Sequence, residues 1–475
     1  MADDPSDPAV PGTTAVAGGW RRPLAWIPRR ETQGVRAIFG ALGHTQSGRF
    51  IWWSWLISRA LIFVFWGSLR FTLGDTKYYF IKMSLLAQTG PSQTMIEYPT
   101  PVLWFFELLY ALSLHHQYVF TGLFVVSMVA LDAWFTWMLW RVGANRRGEA
   151  VFFWTVFLLL VGPTAYLRFD LVTAVLCGLA LLALERRDDL RAGLLTGVGA
   201  GIKLWPALLW PALLGGDRRS RIRTTIGFGA AGVVLAGLAL WYAGWSRLLS
   251  PLEYQSARGL QIESLWAVPP MIWRIFHLSA YAVNVSIWNA WEISGPMTET
   301  MLVLAKVAQA VGLAGVAVCY VAWLRRGRQR FVEASALMQL VILVMILSNK
   351  TFSPQYMMWL GGPAAAGIAM LPHSTLADDS PEERERSENE AVDRLRTISR
   401  VFLACTVLTT IVYPVGYDPI VHGTIGLSVV TMVLATRNLL LTYLLYLVAL
   451  WVVHFSRLRQ GQWWRPGARR HQAVP

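Results

Sequence analysis

The sequence predicts an all-α membrane protein that crosses the bilayer many times. The chain has 475 residues, of which 55% are hydrophobic and only 15% are charged, whereas a soluble protein carries nearer a quarter of charged residues. Its mean hydropathy is +0.43. The apolar runs are roughly 17–25 residues long, the length at which a helix crosses a hydrocarbon core of about 30 Å, and they lack the alternation of a transmembrane strand.

The basic residues predict the orientation of the chain. The formal net charge is +14, which in a soluble protein points to nucleic acid. Here the arginines lie mostly in short loops between apolar runs, as the positive-inside rule expects. The charge therefore indicates topology, and we predict no nucleic-acid partner. The arginine-rich stretch 20–50 places the N-terminus in the cytoplasm.

The first apolar run, residues 51–71, crosses outward and is followed at once by Asp75. The next run, 102–114, either crosses or lies in the interface. If it crosses, the arginines of 141–147 fall outside, so we favour an interfacial helix in this first outer loop and a second crossing over 119–140. Proline at 99 and 101 suits the start of such a helix.

The middle of the chain continues in pairs of crossings. Residues 190–216 form one apolar run with basic residues at both ends, which predicts a short hairpin with Lys203 near its outer tip. A lysine at membrane depth is costly and usually paired or functional. The other predicted crossings of the middle of the chain are 150–166, 171–184, 222–242, 301–324, 332–347 and 356–371.

The C-terminal part predicts crossings over 401–413, 420–435 and 439–455, with Arg437 between the last two. Counting them leaves the arginine-rich tail outside, against the positive-inside rule, and the sequence does not resolve this conflict. The total is roughly eleven to thirteen transmembrane helices.

The predicted organisation has five parts. They are a cytoplasmic, partly disordered segment 1–49; a transmembrane catalytic core 50–371 with outer loops 72–117 and 244–298; a charged cytoplasmic linker 372–398, expected to be disordered; C-terminal helices 399–456; and a basic tail 457–475.

Under this topology the unusual polar side chains fall on the outer side of the membrane. We find no Walker-type phosphate loop, zinc-ligand spacing or nucleotide-binding pattern. The activated group or driving energy must then come from the membrane or from a gradient. The outer residues are Asp75, Tyr78, Glu97, Tyr98, Asp170, Lys203, Arg258, Glu263, Lys350 and Gln355.

Four segments resemble a known family: Gly-Asp-Thr-Lys-Tyr-Tyr at 74–79, Glu-Tyr-Pro-Thr-Pro at 97–101, Gly-Ile-Lys-Leu-Trp-Pro at 201–206 and Ser-Pro-Gln-Tyr at 353–356. In their order along the chain and their predicted position on the outer side of the membrane, these segments resemble the GT-C class of integral-membrane glycosyltransferases. The particular resemblance is to glycosyltransferase family 87, which contains polyprenyl-phosphate-mannose-dependent mannosyltransferases of actinobacteria. The sequence departs from the family after Phe169-Asp170, where Leu171-Val172 replace the start of a Gly-Gln-x-Asn motif.

The resemblance implies a GT-C-like fold and an inverting transfer of a sugar from a polyprenyl-phosphate donor at the outer face of the plasma membrane. Mannose is the first expectation, with arabinose or another lipid-linked pentose open. The acceptor is a glycolipid, a lipoglycan or a wall polysaccharide. Asp75 is the expected general base, and no metal or other cofactor is expected.

The remaining residues have expected roles on the two substrates. Lys203, Arg258 and Lys350 are candidates for binding the donor phosphate, because phosphate requires cations or oriented donors. The residues expected to line the acceptor side or the pocket are Tyr78, Glu97, Tyr98, Asp170, Glu263 and Gln355.

Two other classes of protein stay open. A transporter or flippase also places ionisable residues in helices and can use proline-broken ones. It would be favoured by inverted repeats and by polar residues near the midplane, and we find no clear repeat. A non-catalytic scaffold is the third class, but it does not explain why the polar residues share one side.

Overall fold

The computed structural model describes residues 48–66, 74–143, 146–325, 331–370 and 381–463. Within these ranges the protein is almost entirely helical, as predicted. Five helical stretches are long and apolar enough to cross a membrane: Gln117–Val142, Arg218–Ala257, Thr298–Arg325, Val392–Val415 and Leu427–Val453. The all-α membrane class is thereby confirmed, while the total of eleven to thirteen crossings stays a prediction.

The helices follow one another along the chain with short connections. They are α1 Gly48–Trp66, α2 Gly74–Ser84, α3 Leu86–Thr89, α4 Pro101–Leu112, α5 Gln117–Val142, α6 Arg147–Val161, α7 Thr164–Leu167, α8 Asp170–Glu185, α9 Asp189–Ile202, α10 Arg218–Ala257, α11 Val268–Phe276, α12 Thr298–Arg325, α13 Phe331–Ser348, α14 Tyr356–Met370, α15 Pro381–Thr410, α16 Tyr417–His422 and α17 Leu427–Trp463. Short 3₁₀ helices span Trp205–Leu214, Leu265–Ala267 and Leu278–Ala280, and a π-helical turn spans Ile411–Val415.

The largest core lies around α8, which packs against α5, α9 and α14. Helices α8 and α14 approach at Gly362, where an added Cβ would lie 1.9 Å from the carbonyl oxygen of Ala174. Helices α9 and α10 approach equally closely at Gly193 and Gly227. In lipid, burial of apolar surface does not drive helices together. Small residues at such crossings let the two backbones come close enough for favourable van der Waals packing.

The predicted hairpin over 190–216 is present, and its two arms are α9 and the 3₁₀ helix Trp205–Leu214. Lys203 follows the last residue of α9 in extended conformation. The structure therefore places this lysine at the turn, as the sequence predicted.

The predicted outer loop 244–298 contains regular secondary structure. Helix α10 continues through a kink at Gly244 to Ala257. A β-hairpin follows, in which β1 (Ala282–Val285) pairs antiparallel with β2 (Trp291–Ser294). Gln261 bridges to Glu292 on β2, so the segment after α10 lies along this hairpin.

Two expectations for the C-terminal part differ from the structure. Residues 381–398, expected to be disordered, begin the long helix α15, while 371–380 lie outside the described residues. The side chains of Val392, Leu395 and Ile398 are buried, and this spacing of three makes one apolar helix face. The charged residues around them are good helix formers.

Arg437 does not separate two crossings, because α17 runs without a break from Leu427 to Trp463. The arginine is fully buried. Its guanidinium lies 3.6 Å from the carboxylate of Glu263 and 4.1 Å from the centroid of the Phe352 ring. A charge with such partners can stay inside an apolar helix. The partners of Arg437 are distant in sequence, which is why the predicted boundary between two crossings at this arginine is wrong.

Candidate active site

Asp75 lies in the first turn of α2, where the helix dipole favours a negative charge. Its carboxylate forms an ion pair with the Nε of Arg168, and its side chain stays 14% exposed. The carboxylate is thus held by a cation from a distant part of the chain but remains reachable. Residues 67–73, which precede it, lie outside the described part of the chain.

The environment of Asp75 makes its carboxylate a stronger base than an ordinary aspartate. Burial raises its pKa, and the nearby charge of Asp170 raises it further, while Arg168 and Lys203 act in the opposite direction. Desolvation is the largest of these effects, because it penalises the charged form. A carboxylate of this kind accepts a proton more readily than one in water.

Arg168 and Asp170 come from the turn that connects α7 to α8. Asp170 is fully buried, and its Oδ1 accepts hydrogen bonds from Lys203 Nζ at 2.6 Å and from Trp359 Nε1 at 2.7 Å. Its Oδ2 has no hydrogen-bond partner among the described residues. Because few buried polar atoms go unpaired in native proteins, Asp170 Oδ2 is a candidate contact for a bound hydroxyl group.

An aromatic wall surrounds the ammonium group of Lys203. Its Nζ lies 5.4 Å from the ring centroid of Tyr98 and 5.7 Å from that of Trp359. Trp359 stacks on Trp205 at 4.7 Å and on Tyr356 at 4.0 Å. Aromatic faces stabilise a cation and are also suitable surfaces for the apolar faces of a sugar.

The segment before α4 brings two further predicted residues to this wall. Tyr78 donates a hydrogen bond to Glu97 at 2.7 Å, and the hydroxyls of Tyr79 and Tyr98 are 3.1 Å apart. The fully buried Arg247 fixes this segment by donating to the backbone carbonyls of Met95 and Tyr98 and of Pro91. No pattern in the sequence predicted this structural role of Arg247.

Glu263 is fully buried beside the same centre. Burial raises the pKa of its carboxyl to about 7, against the lowering effects of Arg437 and Arg168. Its carboxylate lies 3.6 Å from the guanidinium of Arg437, and Tyr417 and Arg437 are its hydrogen-bonding neighbours. Tyr413 and Tyr417, which precede and begin α16, interact electrostatically with Glu263. The C-terminal helices therefore contribute to the site.

The other predicted cations are differently engaged. Lys350 donates to the backbone carbonyls of Ser256 and Arg258 at the end of α10. The guanidinium of Arg258 lies 6.0 Å from the ring of Tyr254, and its buried Nε has no partner among the described residues. Gln355 accepts a hydrogen bond from Ser353 at the start of α14.

The structure thus brings Asp75, Asp170, Lys203 and Tyr98 into one group. Three ion pairs define its charge: Asp75 with Arg168, Asp170 with Lys203, and Glu263 with Arg437. Each of these three carboxylates has one cationic partner, so the net charge of the three pairs is close to zero. Across the described residues, no group of three or more His, Cys, Asp or Glu side chains is arranged to hold a metal ion.

A second polar cluster, which the sequence analysis missed, lies inside the helices. Asp132 on α5 is fully buried and accepts hydrogen bonds from Arg59 Nε at 2.8 Å, Trp154 Nε1 at 2.7 Å and Tyr166 Oη at 2.7 Å, and from Trp55. The sequence does contain a signal for this cluster. Arg59 and Asp132 carry opposite charges within two apolar runs, and such residues usually pair.

Comparison with known proteins gives one match. The model of glycosyltransferase family 87 matches residues 96–348, just over half of the 475 residues. A search of curated proteins and a search of solved structures found no match. The matched range holds Glu97, Tyr98, Arg168, Asp170, Lys203, Arg258 and Glu263, whereas Asp75, Lys350, Gln355 and Arg437 lie outside it.

Proposed function

The chain belongs to glycosyltransferase family 87, and we propose that it transfers a mannosyl residue from a polyprenyl-phosphate donor to a hydroxyl group of a glycolipid or cell-envelope glycan. The reaction takes place at the outer face of the plasma membrane. The observation that carries this proposal is the Asp75 carboxylate, which is 14% exposed, has a raised pKa and forms an ion pair with Arg168.

Asp75 is the general base of this reaction. It accepts the proton of the acceptor hydroxyl while the oxygen forms a bond to the anomeric carbon. The bond from that carbon to the phosphate oxygen breaks on the opposite face, and its electron pair leaves with polyprenyl phosphate. One displacement inverts the anomeric configuration. A positioned base contributes about 10²–10⁴ in rate.

The donor phosphate is held by cations of the same centre. Lys203 is the first candidate, since an ammonium has three N–H donors and Asp170 receives one of them. Arg258 is the second, because its guanidinium fork fits a phosphate. Lys350 is the third candidate, because its ammonium already donates to two backbone carbonyls and is the least available of the three for a phosphate.

The acceptor lies between Asp75 and the aromatic wall. Asp170 Oδ2 and the Glu97–Tyr78 pair offer hydrogen bonds to its hydroxyl groups, and Tyr98 offers a ring face. Glu263 and Gln355 complete the pocket on the side of α14. Residues with unpaired polar atoms discriminate strongly for a ligand that pairs them.

The continuous helix α17 bears on the predicted topology. If residues 372–398 are cytoplasmic, the stretch Val392–Val415 runs outward and α17 returns. The arginine-rich tail 457–475 then lies inside, as the positive-inside rule expects. This arrangement supports the proposal that the site faces outward.

A transfer assay tests the proposal. Membranes with the wild-type protein, Asp75→Asn or Asp217→Asn are given radiolabelled polyprenyl-phosphate-mannose and total lipid extract. Asp217 caps α10, and asparagine caps a helix as well, so this variant is a matched control with full activity.

We expect a labelled product from the wild type and the control, and a loss of at least about 100-fold in Asp75→Asn. Equal product from Asp75→Asn would remove Asp75 from the chemistry. If the wild type moves the labelled donor across the membrane without forming product, the protein is a flippase and the transferase proposal fails.

A further inference from the structure

Arg168, which is not among the site residues predicted from the sequence, is the cation in direct contact with the proposed base. It lies in extended conformation between α7 and α8. Two residues before it, Tyr166 is tied to the buried Asp132, and two residues after it, Asp170 is tied to Lys203 and Trp359. The backbone that carries Arg168 is therefore held on both sides, which places its side chain within reach of Asp75.

The contacts of Arg168 leave part of its fork available. A guanidinium has five N–H donors on two edges, and the contact with Asp75 uses Nε. The side chain is 21% exposed, so the group is not closed off. Tyr413 also interacts electrostatically with the guanidinium, and a tyrosine hydroxyl can be displaced by an anion, which binds an arginine more strongly.

The proposed reaction moves negative charge between two groups. When Asp75 accepts the acceptor proton, its carboxylate becomes neutral. In the same step the phosphate, which as a diester carries one negative charge, gains about one more as it leaves. A cation that contacts both groups therefore faces the same total negative charge before and after the proton moves. Its interaction with the phosphate becomes stronger in the transition state, where the charge on the phosphate grows.

We propose that Arg168 is shared between the Asp75 carboxylate and the phosphate of the donor, and so couples the base to the leaving group. This rests on the proposed function, because the ligand is the phosphate of a polyprenyl-phosphate sugar. In the free enzyme Arg168 neutralises Asp75. When donor binds, the phosphate takes part of this charge, and Asp75 becomes a stronger base at the moment at which a base is needed.

One consequence separates this role from simple structural support. If Asp75 and the phosphate compete for Arg168, removing the charge of Asp75 releases the guanidinium to the phosphate. The variant Asp75→Asn then loses transfer but binds the phosphate group more tightly than the wild type, by about 3- to 10-fold. Loss of repulsion between the two anions alone would give the same gain when Arg168 is replaced by lysine, whereas a shared guanidinium predicts a smaller gain in that background.

The experiment measures binding of polyprenyl phosphate, without the sugar, to protein in neutral-lipid nanodiscs. The variants are Asp75→Asn, Arg168→Gln, Arg168→Lys and the control Arg221→Gln. Arg221 donates to two backbone carbonyls away from the site. The same titration with polyprenyl phosphate in nanodiscs that contain phosphatidylglycerol shows whether a bulk anionic headgroup competes for the site.

We expect Arg168→Gln to weaken binding by about 10- to 100-fold, Arg168→Lys to weaken it less, and Arg221→Gln to leave it unchanged. If Arg168→Gln does not fold, Arg168→Lys carries the test, because lysine keeps the charge and loses the guanidinium fork that two anions can share. Binding by Arg168→Gln at wild-type strength, no gain in Asp75→Asn, or full competition by phosphatidylglycerol overturns the inference. Failure of the wild type itself to bind polyprenyl phosphate would instead overturn the proposed donor.

Discussion

Tyr166→Phe removes one hydroxyl group and tests whether the cluster around Asp132 positions Arg168. The Tyr166 hydroxyl donates to Asp132 Oδ2 at 2.7 Å, while its ring stacks on Phe63 at 5.7 Å. Phenylalanine keeps the stacking and loses only the hydrogen bond. Since the acceptor is a buried carboxylate, we expect a loss of about 1.5–3 kcal/mol in the free energy of unfolding.

The expected effect on turnover is larger than the change in stability explains. Arg168 is two residues from Tyr166, and a shift of its guanidinium moves the contact with Asp75. A displacement of about 1 Å at a reacting group costs up to about 100-fold in rate, so we expect turnover per folded molecule to fall by about 10- to 100-fold.

Tyr320→Phe is the matched control. Tyr320 is also buried and donates its hydroxyl to the backbone carbonyl of Leu208, but it lies on α12, outside the site. We expect it to lose about 0.5–1.5 kcal/mol of stability and to keep its turnover. Thermal unfolding in detergent gives the stability, and the transfer assay at matched folded protein gives turnover. If both variants keep turnover, or both lose it equally, Tyr166 is structural only and the positioning role is refuted.

Further predictions concern the buried charges. Asp132→Leu leaves Arg59 without its carboxylate and four other donors without their acceptor, so we expect thermal unfolding to show a loss of more than about 3–5 kcal/mol. Arg59→Met is milder, because the carboxylate keeps the hydrogen bonds of Trp55, Thr136, Trp154 and Tyr166; equal losses would contradict this. Glu263 has its pKa raised by burial from 4.5 to about 7, so the folded protein binds more protons than the unfolded chain between these values and stability falls as pH rises through this window. Glu263→Gln is expected to flatten that fall, by up to about 3 kcal/mol at pH 8, in unfolding measured from pH 5 to 8; an unchanged pH dependence would show that Glu263 is charged throughout.

Much of the helical framework could be predicted from apolar periodicity and the positions of arginines. The turn at Lys203 followed from an apolar run with basic ends, and Asp75 was singled out because it follows the first apolar run. These are local signals, since each depends on residues within about one helix length.

The pairings within the site could not be predicted, because they join distant positions. Asp75 lies on α2, whereas Arg168 lies in the connection between α7 and α8, so no local pattern joins the two residues. Arg437 interrupts an apolar run and was read as a loop, whereas its partner Glu263 lies 174 positions earlier in the chain. Sequence shows where a charge is costly, but only the packing of helices shows which opposite charge compensates it.

The most direct test of the central claim is chemical rescue of Asp75→Ala. Azide is a nucleophile that has no proton to lose, so it does not require a general base. With polyprenyl-phosphate-mannose and azide, we expect this variant, which is inactive towards its natural acceptor, to form a mannosyl azide of inverted configuration, while Asp217→Asn forms none above the wild-type level. Formation of no azide product by a variant that still binds polyprenyl phosphate, or a product of retained configuration, would contradict the role of Asp75 as the base of an inverting transfer.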